Sequence, residues 1–149
     1  MLIPLFLCIG FMLAVLYIDL MFDVSALPYR HTKAALPKEV LDPIIHYYGR
    51  IVQNPYVLMF VMLTATACII SEIVYALVPR SVGYASLFLM GLSMVTGTLK
   101  VIPMAQRLAS DKESEDKRTS LVHSMLPFHL VLLISILLLA TIQFSTAGT

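Results

Sequence analysis

Tryptophan is absent from the chain, cysteine occurs only twice, and Asp, Glu, Lys and Arg together make up just 13% of its 149 residues. The shortage of charge excludes most. Soluble domains carry roughly 25% charged residues, and with a mean hydropathy of +0.88 a water-soluble globule is ruled out. A disordered chain needs low hydrophobicity and high net charge, whereas the net charge here is +1. No excess of positive charge points to nucleic acid. Cys8 and Cys68 lie inside apolar runs, with no C-x-x-C pair and no Cys/His spacing of a zinc site. They read as small apolar fillers, with a disulfide between spans as the alternative. No internal repeat, phosphate-binding loop, nucleophile–base motif, metal site or cofactor site is evident.

What is present is length in the apolar runs. A helix needs roughly 20 mainly apolar residues to cross a bilayer, and four such runs occur, at residues 2–22, 56–78, 82–102 and 121–144. Val24, Ser25 and Ala26 resemble a signal-peptide cleavage site. No Lys or Arg precedes the first run, however, and the run exceeds the usual ~7–15 apolar residues, so it reads as a span. The expected fold class is all-α: an integral membrane four-helix bundle in one domain, with an additional interfacial amphipathic helix.

Lys and Arg are retained on the cytoplasmic side during insertion. With four spans, the two termini share a side with the short link between spans two and three, which holds only Arg80, while all the other Lys and Arg residues fall opposite. Both termini are therefore expected outside, with the long connections in the cytoplasm or the mitochondrial matrix. Tyr17, Tyr47, Tyr48 and Tyr56 would mark one interface, and Tyr75 and Tyr84 the other.

Residues 37–53 form the clearest amphipathic segment. Val40, Leu41, Ile44, Ile45, Tyr48, Ile51 and Val52 follow the helical repeat, and Lys38, Glu39, Asp42, His46, Arg50 and Gln53 fill the rest of the wheel. Pro43 is expected to kink or shorten this helix. Its apolar stripe would lie against lipid or the bundle, or dock another protein. Residues 103–120 carry charges of both signs and read as a solvated cytoplasmic loop or helix extension. Gly83, Ser86, Gly91, Ser93 and Gly97 suit close helix approach and point to span three as the central helix; Ala65, Ala67, Ser71 and Ala76 give span two similar positions.

Ionisable groups at membrane depth are expensive and mark function by default. Asp19, Asp23, Lys100, Arg107, His123 and His129 all fall toward the cytoplasmic half, so acids and bases from different spans are expected to meet there. Two arrangements are open. Asp19 pairs with Lys100 as a structural contact, both reaching for the headgroups, or the groups line a cavity in which a histidine moves protons. His123 and His129 are six residues apart and diverge by some 120° on one helix, which argues against a shared metal ion. Pro127 removes a helical donor between them, and a bend is expected there. Glu72 lies apart, near the outer end of span two, with no cation in any span at its level.

Pro103 followed by Arg107-Leu108 at the end of span three, with four spans and a long first connection, resembles the anthrone-oxygenase-like family of small membrane proteins. That family shows a Pro-x-Asn-x-x-Leu stretch here; this chain reads Pro103-Met104-Ala105-Gln106-Arg107-Leu108, keeping the proline and leucine but not the asparagine. The tryptophan common before the last span is also absent. The resemblance implies action on, or binding of, a lipophilic aromatic compound, with His129 and Asp19 as catalytic candidates by position and chemistry.

Three functions follow as expectations. The leading one is a non-enzymatic accessory or scaffold subunit, partnered by the bilayer and by a larger membrane complex or its own copies. The second is an oxygenase-like enzyme for a lipophilic small molecule, which requires Asp19 and His129 to converge. The third is a small proton-coupled transporter built on Glu72, similar in outline to the small multidrug resistance transporters, whose glutamate lies in the first span beside tryptophan.

Overall fold

The computed structural model describes residues 2–31, 35–110 and 112–147, so Lys33 and Asp111 among the loop charges lie outside it. Every described element is helical: α1 (Leu2–Ala26), a 3-10 turn (Leu27–Tyr29), α2 (Lys38–Gln53), α3 (Tyr56–Val74), α4 (Arg80–Thr96), a π-turn (Gly97–Val101), α5 (Ile102–Ala109) and α6 (Glu115–Ala147). Four continuous helical stretches are long and apolar enough to cross a membrane, with α4, the π-turn and α5 forming one of them. The chain is thus an all-α membrane bundle. In cyclic order α1, α3, α4 and α6 each pack against the next, and α6 closes onto α1. Asp23 with His129 and Phe6 with Phe144 set α1 and α6 antiparallel.

Each long helix buries a seam at alternating three- and four-residue steps, the spacing that keeps one face toward a partner. On α1 the seam runs Leu5, Ile9, Met12, Leu16, Asp19, Asp23, Ala26, and on α6 it runs Val122, Met125, His129, Leu132, Ile136, Leu139, Gln143. On α3 it contains Ala65, Cys68, Ile69 and Glu72; on α4 it contains Gly83, Ser86, Met90 and Ser93. The apolar middle of these seams forms the main core. A second core joins α2, α5 and the start of α6.

Several expectations need correction. No span is central in the ring, and α4 is the least buried of the four spanning stretches while α6 is the most. Of the three glycines in the third spanning stretch only Gly83 is a close approach, since a Cβ there would lie 2.5 Å from Ile73 Cγ1, whereas Gly91 and Gly97 have nothing within 4 Å. Ala76 is outside α3. It takes a left-handed φ of 51° where Leu77 N–H bonds back to the Glu72 carbonyl and Ala76 N–H to that of Ile73, the Schellman arrangement that ends a helix. Of the two readings of 103–120, helix extension holds for most of it: among the described residues only Ser110 and residues 112–114 lie outside helix. Pro43 does not shorten its helix, since α2 runs on through it to Gln53, and α6 likewise continues through Pro127.

The amphipathic stripe of α2 is used within the chain. Leu41, Ile44 and Tyr48 are buried, mainly through packing on α5. The Leu36 amide donates to Thr119 Oγ1 at 3.0 Å, and Lys38 pairs with Glu115 at 3.6 Å, so the entry to α2 is held on the first turns of α6.

Candidate functional site

Asp19 and Asp23 are one helical turn apart in the α1 seam, so both face inward, with 6% and 4% of their surface exposed. Opposite them, the α6 seam brings in His129, which is fully buried. His129 Nδ1 lies 2.6 Å from Asp23 Oδ2. An ionised carboxylate accepts only, so the ring donates from Nδ1–H, and Nε2 is left facing away from Asp23. Nε2 is buried and has no hydrogen-bond partner among the described residues.

The α2 helix supplies the rest. Tyr47 Oη donates to Asp19 Oδ1 at 2.9 Å. The Tyr48 ring lies parallel to His129, 5° between planes and 6.2 Å between centroids, and its hydroxyl is buried without a partner among the described residues. Burial first, and the neighbouring Asp19 carboxylate second, push both phenols above their ordinary range. Both therefore stay protonated as donors. Phe22 packs on Tyr47, ring centroids 4.6 Å apart, and closes this end against α1.

Of the seven residues expected at membrane depth, Asp19, Asp23 and His129 converge. The other four do not join them. Lys100 is exposed in the π-turn, forms no ion pair among the described residues, and is not the partner of Asp19, which Tyr47 occupies. Arg107 points outward to Glu113 at 2.9 Å, lowering that carboxyl below its usual value chiefly through the hydrogen bond. His123 is half-exposed, one position off the α6 seam.

Glu72 belongs to a separate cluster. Gln143 Nε2 donates to Glu72 Oε2 at 3.1 Å and to Ser86 Oγ at 3.0 Å. Tyr47, Tyr48, Ser86 and Gln143 were not among the site residues expected. Gln143 has a sequence signal, because it continues the three-and-four spacing from His129. Tyr48 has one in the α2 stripe, but both tyrosines read there as interface markers.

No group of three or more His, Cys, Asp or Glu residues placed to hold a metal ion occurs among the described residues. The chain matches no family model, no curated protein and no solved structure. Geometry alone therefore defines the class: a four-span helical bundle with an Asp–His pair and two tyrosines enclosed at one end.

Proposed function

We propose that this is a membrane-embedded acid–base enzyme in which His129, oriented by Asp23, takes a proton from a lipophilic, weakly acidic aromatic substrate. The observation that supports it is the orientation of one ring: Nδ1 is fixed on Asp23, while Nε2 and the hydroxyl of Tyr48, whose ring stacks on His129, are both buried and without a partner among the described residues. A neutral imidazole with its second nitrogen free is a general base at neutral pH. Asp23 stabilises the imidazolium that forms, as a carboxylate does behind any catalytic histidine. Tyr48 donates to the substrate oxygen on which charge develops, and Asp19 with Tyr47 holds α1 and α2 in place. The resemblance in the Pro103–Leu108 stretch implies a lipophilic aromatic compound as substrate class, of which anthrone is a test case.

The test uses anthrone, whose benzylic CH2 is acidic, with the full chain in lipid nanodiscs in D2O. Deuterium uptake at that carbon is expected to exceed that of empty nanodiscs, and H129Q and D23N should lower it by ~10²–10⁴-fold, the usual worth of a general base. Uptake equal to empty nanodiscs, or unchanged in H129Q, overturns the proposal.

An accessory subunit of a larger assembly is the second reading. It rests on an open apolar groove of about 650 Å³ between α1 and α6, lined by Phe6, Gly10 and Phe144 among others. Gly10 leaves its floor open, with nothing within 4 Å of a Cβ there. A photo-crosslinker at Gly10 should then capture a partner helix in native membranes; lipid adducts alone reject it.

A further inference from the structure

Glu72, Gln143 and Ser86 are exposed by 1%, 0% and 0%, at the end of the bundle opposite the histidine. Gln143 stands fourteen residues after His129 on the same seam of α6, about 21 Å along the axis. Leu132, Ile136 and Leu139 fill the seam between them. The two polar clusters are thus separated by an apolar layer.

The hydrogen-bond count around Glu72 is lopsided. Its carboxyl receives one described donor, the Gln143 amide, and Glu72 Oε1 and Gln143 Oε1 are both buried acceptors with no partner among the described residues. A buried carboxylate is sustained by a cation or by several donors. No ion pair to Glu72 exists among the described residues. Arg80, at the start of α4, is exposed, and α6 carries no ionisable side chain beyond His129. The other titratable groups at this end of the packed elements are the thiols Cys68, one turn earlier on α3, and Cys8 on α1, both buried, the exposed phenols Tyr75 and Tyr84, and the N-terminal ammonium, whose charge favours the ionised acid and is the one influence from a cation opposing a neutral Glu72; Asp19, Asp23 and His129 lie at the far end of α1 and α6.

What this environment lacks is one hydrogen. We propose that Glu72, Gln143 and Ser86 form a proton-binding site in which Glu72 is held as the neutral acid and exchanges its proton with water at the end of the bundle where the termini lie. A proton on Oε1 removes the charge and supplies the missing donor, which reaches Gln143 Oε1 on rotation of the acid. The route out of the bundle is short: Glu72 is in the last turn of α3, which ends at Val74, and Tyr75, a residue type enriched at membrane–water interfaces, follows it directly.

Infrared spectra of the chain in nanodiscs at neutral pH, wild type minus E72Q, test this. The expected result is the loss in E72Q of one protonated-carboxyl C=O band, which in the wild type shifts when H2O is replaced by D2O. Loss of an ionised carboxylate band instead, or a protonated band that does not shift, overturns the proposal. If E72Q does not fold, the wild type is treated with dicyclohexylcarbodiimide, which adds to protonated carboxyls within membranes. An adduct mapped to Glu72 supports the site, and unmodified Glu72 refutes it. E72Q should leave deuterium uptake by anthrone unchanged, so failure here is distinguishable from failure of the His129 mechanism.

Discussion

Tyr47 and Tyr48 are neighbours in sequence and differ in what their hydroxyl groups do. Tyr47 gives Asp19 a described donor; Tyr48 is 2% exposed and its hydroxyl donates to nothing described. Removing one partner of a buried hydrogen bond leaves the other unsatisfied, at about 1–3 kcal/mol, whereas removing a polar atom that is already unsatisfied costs little. Y47F is therefore expected to lower the thermal midpoint in detergent, and Y48F to leave it unchanged or raise it. The order reverses for anthrone exchange, where loss of a donor to developing negative charge lowers the rate by ~10²–10³-fold. A Y48F protein with wild-type exchange removes Tyr48 from the mechanism and leaves it as packing.

At the scale of the element, phase decides which polar residues meet. Hydropathy places Asp19, Asp23, Lys100, Arg107 and His129 at similar depth, but depth says nothing about facing. Residues in step with the seam are buried, and this much was legible: Asp19, Asp23, His129 and Gln143 all continue runs of three and four. Lys100 and Arg107 also continue the α4 spacing from Gly83, Ser86, Met90 and Ser93, and they should have faced inward. The π-turn at Gly97–Val101 is why they do not. A π-turn takes one extra residue, which advances the helix by one position, so Ala105 and Leu108 are buried in place of Met104 and Arg107. The residues of the turn, Gly97-Thr98-Leu99-Lys100-Val101, carry no local signature of that insertion; the cost of burying two cations is what selects it. Deleting Leu99 should convert the turn to ordinary α-helix and keep Ala105 and Leu108 in the seam, with a thermal midpoint close to wild type. Deleting Phe88, exposed by 70% against 65% for Leu99, forces Gly83 and Ser86 or Met90 and Ser93 to rotate by ~100° and should cost more than ~3 kcal/mol, in the range of disrupted cores. Equal loss from both deletions contradicts the insertion account.

For the whole molecule, the distribution of charge and the placement of the two clusters set a polarity. Every Lys and Arg except Arg80 is in or beside the connections at the α2 end, which is also the end that holds Asp23 and His129. The α6 helix, 33 residues long, spans about 50 Å and exceeds the ~30 Å hydrocarbon thickness. Its charged first turns, where Glu115 pairs with Lys38 and Lys117 with Glu113, which Arg107 also holds, therefore project beyond the hydrocarbon. Cation retention would put that end in the cytoplasm, and the histidine would then be served by the cytoplasmic interface and Glu72 by the outer one. In a background lacking Cys8 and Cys68, S114C should react with a membrane-impermeant maleimide only from the cytoplasmic side, and S145C only from outside. Both sites labelled from one side would break the four-span threading. The opposite pattern would keep the threading and reverse the polarity, so that Glu72 exchanged protons with the cytoplasm and the base worked at the outer face. The chemistry of each cluster survives that reversal, because it depends on which helices meet and not on which compartment they face.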